Sequence, residues 1–107
     1  MTRVLDILIR ARKLIEAPER WTKGAMARNS VGARVSAYAP DAICFCAQGA
    51  LKKASDWDDH LSQAALRLNR AITIPVGYIT YNDEPETTHA DILALFDRAI
   101  EAERGCG

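Results

Sequence analysis

Ala42-Ile43-Cys44-Phe45-Cys46-Ala47-Gln48-Gly49-Ala50-Leu51 is the stretch on which the fold turns. Its first half, Ala42 to Ala47, is the longest purely apolar run in the chain. It then passes into small residues, Ala47, Gly49 and Ala50, followed by Ala54, which let another backbone approach closely. Pro40 and Asp41 just upstream suit the first turn of a helix. The stretch reads as the central, buried helix of the fold, from Pro40 to about Ser55, with two thiols at its head.

On the N-terminal side, Val4, Leu8, Ala11 and Ile15 form a helical stripe, flanked by Leu5, Ile7 and Leu14. Arg10, Lys13 and Glu16 fall on or near the opposite face, and Asp6 can pair with Arg10 four residues on. Pro18 closes this helix near Ala17, because a residue before proline avoids the α region. Residues 18–41 carry turn signals at Gly24, Asn29-Ser30 and Gly32, with a weak alternation over Arg34-Val35-Ser36-Ala37-Tyr38.

On the C-terminal side, Ser55 or Asp56 is placed to cap a helix from Trp57 to Arg70, whose Leu61, Ala64, Ala65 and Leu68 keep helical spacing. From Ile72 to Tyr81 the residues alternate and are rich in β-branched and aromatic types, which predicts a strand. Pro75 confines any strand to an edge position or to the stretch after it. Thr88 and Asp91 form a capping box for a last helix through Ile92, Leu93, Phe96 and Ile100, fraying from about residue 104. The expected fold is mainly α: a single domain over residues 1–107, a compact bundle of about four helices. It leaves room for one small β-hairpin pairing residues 33–38 with 76–81.

The pieces in this order resemble a small bacterial and phage domain family of unknown function. They are an arginine-containing first helix, Trp21, Cys46-Ala47-Gln48-Gly49-Ala50-Leu51, and Tyr81-Asn82-Asp83 before a final helix. The resemblance covers roughly residues 4–103. It implies a compact, mostly helical domain and carries over neither an activity nor a catalytic residue.

Composition narrows function further. Fourteen basic and fourteen acidic residues cancel in a chain of 107, which leaves no electrostatic footprint for nucleic acid or a membrane surface. The apolar runs are too short to span a bilayer. Three cysteines do not make a disulfide framework. No signal-peptide block follows Met1-Thr2-Arg3, so the expected location is cytoplasmic.

Two chemistries are weighed from the motifs. In the first, Cys46 is a nucleophile, His89 its base, and Asn82 or Asp83 the group orienting the imidazole. Against it, a helix that starts at Pro40 puts Cys46 beyond the first turn, where the dipole has decayed. Buried cysteines also commonly behave as small hydrophobes. In the second, Trp21 and Tyr81 contact a ligand, although a tryptophan after a helix usually plugs the edge of the core. No metal is expected, since Cys44-x-Cys46 lacks zinc spacing, and on a helix residues two apart point about 200° from each other. No cofactor fingerprint is present. Arg20, Lys23, Arg28 and Arg34 read as a solvated face. The leading expectation is a non-enzymatic interaction or regulatory module for an unknown protein partner or small ligand, with homo-oligomers compatible. The alternative is a cysteine-dependent hydrolase or transferase using Cys46 and His89.

Overall fold

The stripe of the first segment becomes α1, Arg3–Leu14, with Leu8, Ala11 and the following Ile15 fully enclosed. The computed structural model describes residues 3–56, 60–72 and 76–106. After α1 a single 3-10 turn, Pro18–Arg20, leads into an irregular segment that carries two short strands, β1 (Ala27–Arg28) and β2 (Arg34–Val35). β3 (Cys44–Phe45) follows, then α2 (Ala47–Ser55), α3 (Leu61–Ala71), α4 (Tyr78–Asp83) and α5 (His89–Cys106). Among the described residues the molecule is mainly helical with one small antiparallel sheet, in agreement with the expected class.

The sheet is not the expected hairpin. Its order is β2-β1-β3, with Ala27 opposite both Val35 and Phe45, and Arg28 opposite Arg34 and Cys44. The expected pairing of 33–38 with 76–81 therefore fails, because β2 is taken by β1 and Tyr78–Asp83 is helix. Alternation and β-branching at 76–81 are overridden by the spacing of Tyr78, Tyr81 and Asn82, which puts those three on one helical face. That face is the inward one: Tyr78 and Asn82 are buried while Ile79 and Thr80 are exposed. Asn69 starts the turn from outside, its Oδ1 accepting the Tyr78 N–H at 2.8 Å. Residues 73–75 of the expected strand lie outside the described residues.

The central helix also begins later than Pro40. Ile43 N–H donates to Arg28 O and Cys46 N–H to Met26 O, so the backbone on either side of Cys44–Phe45 is spent on β1. Pro40 and Asp41 sit in a turn, bridged by Ala42 N–H to Ala39 O at 3.1 Å. Asp56, expected to open the next helix, instead closes α2 in the left-handed region at φ 46°, its N–H bonded to Lys52 O. α3 begins at Leu61, later than expected; residues 57–59 lie outside the described residues.

The core lies where α1 packs on α2 and α5, and α3 on α5. Leu8, Leu51, Leu68, Leu95 and Phe96 are completely enclosed there, each contributing about 1.5–3 kcal/mol of transfer free energy. The Thr88–Asp91 capping box forms as expected, Thr88 N–H donating to Asp91 Oδ2 at 2.9 Å and Asp91 N–H to Thr88 Oγ1 at 3.1 Å. α5 then continues as helix through Cys106, past the point near 104 where fraying is expected.

Candidate functional site

Trp21, Cys46, Asn82 and Asp83 are gathered by the start of α2. Because β3 ends at Phe45, Cys46 has extended backbone (φ −79°, ψ 176°) and is the N-cap of the helix. It therefore stands at the helix N-terminus itself, which corrects the placement beyond the first turn. Its Sγ accepts the Gly49 N–H at 3.3 Å, a role more often taken by Ser, Thr, Asp or Asn. Gly49 is required for a separate reason. A Cβ on it would lie 1.9 Å from the Met26 carbonyl oxygen, the oxygen that accepts the Cys46 N–H.

The first N–H of α2, that of Ala47, is satisfied from another element. Asn82, at the end of α4, accepts it on Oδ1 at 3.0 Å. The same oxygen accepts the Trp21 Nε1–H at 2.7 Å. The Asn82 amide nitrogen donates to Thr22 O at 3.1 Å and to Asp83 Oδ1 at 2.9 Å. Two lone pairs and two N–H donors are the whole hydrogen-bonding capacity of an amide side chain, and Asn82 uses all of it at 1% exposure. Asp83 Oδ1 also accepts the Gly24 N–H at 3.0 Å. Trp21 is pinned a second time where its backbone bridges Phe45 and Thr22 N–H donates to Phe45 O.

His89 borders this knot without joining its thiol. Its Nε2 lies 2.6 Å from Ile15 O. A carbonyl can only accept, so Nε2 carries the hydrogen and donates. The ring stands 5.9 Å from the Trp21 ring, tilted by 46°. Among the described residues no hydrogen bond joins His89 to Cys46. Burial pushes the Cys46 thiol above its ordinary pKa, and the Asp83 carboxylate pushes the same way. The N–H groups of Gly49 and Gln48 pull it down. Burial prevails, so the thiol form is favoured.

Tyr81 is half-buried and turned elsewhere, lining a shallow 390 Å³ depression with Glu84, Glu86, Thr87 and Asp91. Trp21 is not among the residues lining that depression. Cys44 is half-buried beside Arg28 O, 3.8 Å from its sulfur. Cys44 and Cys46 lie in extended backbone, the arrangement in which both thiols can face one ion. Among the described residues, however, no third metal-ligating side chain joins them.

The match to a family model decides the affiliation. The helix-heading Cys46–Leu51 motif, Trp21 and the Asn82-Asp83 pair form one packed unit, and the model of a family of unknown function, DUF6197, matches residues 1–102. The chain belongs to that family. Comparison with curated proteins and with solved structures returns no match.

Two groups lie outside what the motifs single out. Lys23 and Arg28 are not a free solvated face. Lys23 Nζ donates to Glu84 O at 2.7 Å, and Arg28 donates to Thr22 Oγ1, Gly32 O and Lys23 O. Between α3 and α5, Arg67 and Arg70 of α3 and Arg98 of α5 line one cavity. The i, i+3 spacing of the first two is the sequence signal for it.

Proposed function

We propose that this protein is a non-enzymatic interaction module, whose motif residues build a rigid scaffold and whose ligand is taken up elsewhere on the surface. One observation carries the reading. Each chemistry-bearing side chain around α2 is committed to an internal partner: Cys46 to Gly49, Asn82 to four groups, Asp83 to Gly24, and His89 to Ile15. A catalytic group needs a free face toward substrate and a base within hydrogen-bond reach of its proton. Cys46, at 6% exposure, has a backbone N–H in the place where a base would sit. A thiolate at a helix head is favoured by the dipole, but desolvation works against it here.

Alkylation of native protein with iodoacetamide across pH, read by mass spectrometry in wild type and His89→Ala, tests this. We expect Cys46 to react only as the protein opens, at a rate indifferent to His89. Rapid modification below the ordinary thiol pKa, lost in His89→Ala, would establish the cysteine-enzyme alternative instead.

A further inference from the structure

The cavity between α3 and α5 is lined by Arg67, Arg70, Ala71, Arg98, Ala102 and Glu103, with a volume of 250 Å³. Three guanidinium groups against one carboxylate is a local excess of two positive charges, in a chain whose net charge is zero. Two of the three are held in place. Arg67 Nε donates to Glu103 Oε1 at 2.7 Å, and Glu103 is itself 92% buried at 8% exposure. Arg98 Nε donates to Ala71 O at 3.0 Å, covering a carbonyl at the end of α3. In both cases the Nε–H is spent, while the terminal amino groups have no hydrogen-bond partner among the described residues. That unspent edge is the one a guanidinium presents to an oxyanion in a bidentate contact. Arg70 makes no ion pair or hydrogen bond among the described residues.

Like charges gathered around one small concavity repel each other, and Glu103 offsets only one of them. An anion in the cavity removes the repulsion and uses the waiting donors. The walls between the arginines are the methyl groups of Ala71 and Ala102, so the cavity accepts an apolar group beside the charge. We propose that the α3–α5 cavity binds a small phosphate monoester, its phosphate among Arg67, Arg70 and Arg98 and a short apolar stem against Ala71 and Ala102. A phosphate monoester carries about 1.5 to 2 negative charges at neutral pH, which matches the local excess; a monocarboxylate leaves one arginine uncompensated. A cavity of 250 Å³ is at the small end of ligand sites, below the roughly 300–1,000 Å³ that holds a drug-sized molecule. This inference rests on the reading of the protein as a binding module and gives it a ligand class.

The test is a titration of the full chain with inorganic phosphate and with phenyl phosphate at constant ionic strength, followed by amide and arginine Nε–H resonances. Saturable shifts at Ala71, Ala102 and the Nε–H groups of Arg67 and Arg98 are expected. Phenyl phosphate should bind roughly tenfold tighter than inorganic phosphate, through its buried ring. Arg70→Gln should weaken both by about tenfold or more. Because Arg70 holds nothing else in place, that variant should fold as wild type. Shifts that grow linearly and match those from sodium chloride would overturn the proposal. So would saturable binding unaffected by Arg70→Gln, or phenyl phosphate binding no tighter than phosphate. Failure here leaves Cys46 inert to alkylation, whereas failure of the module reading shows as a reactive Cys46.

Discussion

Asn82 and Arg70 are both polar residues near helix ends, and the chain treats them in opposite ways. Asn82 is enclosed and bonded four times, to Trp21, Thr22, Ala47 and Asp83. Arg70 is exposed and unbonded among the described residues, beside two arginines that keep donors in reserve. An enclosed polar group that has spent every donor and acceptor has nothing left for a ligand, and removing it strands its partners. A cation that holds nothing together contributes little to folding and is free to bind. The residue types that suggest chemistry in the sequence cluster in the first region, and the unspent donors lie in the second.

The largest expected effect is at Asn82. Asn82→Ala leaves the Ala47 and Trp21 N–H groups without their acceptor in a buried site, and should cost about 3 kcal/mol or more in a urea unfolding experiment. Arg70→Ala in the same experiment should stay within about 0.5 kcal/mol of wild type. A similar loss at both positions would erase the contrast between the regions.

Gly49→Ala comes next. Helix propensity alone predicts a gain of about 1 kcal/mol. The new Cβ, however, meets the Met26 carbonyl at 1.9 Å, backbone that is fixed by the Cys46 N–H. We expect a net destabilisation of about 1–3 kcal/mol, read as a lowered thermal midpoint. A raised midpoint would mean that the loop and helix are not locked together.

Cys46 gives a smaller and more selective effect. As an N-cap it should tolerate Cys46→Ser with little change, since serine is a preferred cap, whereas Cys46→Ala should cost about 1 kcal/mol. Equal losses for both would point to packing of the sulfur rather than capping.

The remaining effect concerns pH. Burial raises the Cys46 thiol, and raises Tyr78 from 10.0 to about 12. Both are acids whose folded-state pKa lies above the unfolded value, so over that interval the native state holds more protons. Their contribution is complete below the ordinary thiol and phenol ranges and is lost as pH rises, for Tyr78 between about 10 and 12. Urea midpoints should decline across that alkaline window and decline less in Tyr78→Phe. An unchanged slope in that variant would mean that Tyr78 is not the group responsible.

Much of the fold was legible because periodicity reports burial. Leu8, Ala11 and Ile15 announce α1, Ala64 and Leu68 announce α3, and Thr88 with Asp91 announces the start of α5. The segments that misled are those where local preference and tertiary contact disagree. Pro40-Asp41 has helix-start chemistry, yet Ile43 and Cys46 bond to Arg28 and Met26 across the sheet. Residues 76–81 alternate like a strand, yet Asn69 and the buried side of Tyr78 and Asn82 fold them as helix. The motif residues Trp21, Cys46, Asn82 and Asp83 were visible as a set. Their bonding was not, because 35 residues separate Ala47 from Asn82 and 61 separate Trp21 from Asn82. The arginine cavity was hidden for the same reason, with Arg98 brought to Arg67 and Arg70 only by the packing of α5 on α3.

The central claim is that Asn82 ties Trp21 to the head of α2 as a unit of folding. A double-mutant cycle of Trp21→Phe and Asn82→Ala, measured by urea unfolding, tests it most directly. Trp21→Phe keeps an aromatic ring while deleting the Nε1–H that Asn82 accepts. The account predicts that the two losses fall short of additivity, with a coupling of about 1–3 kcal/mol, as expected for two members of one hydrogen-bond network. Losses that add to within about 0.5 kcal/mol would contradict it and return Asn82 to the list of residues free to serve a ligand.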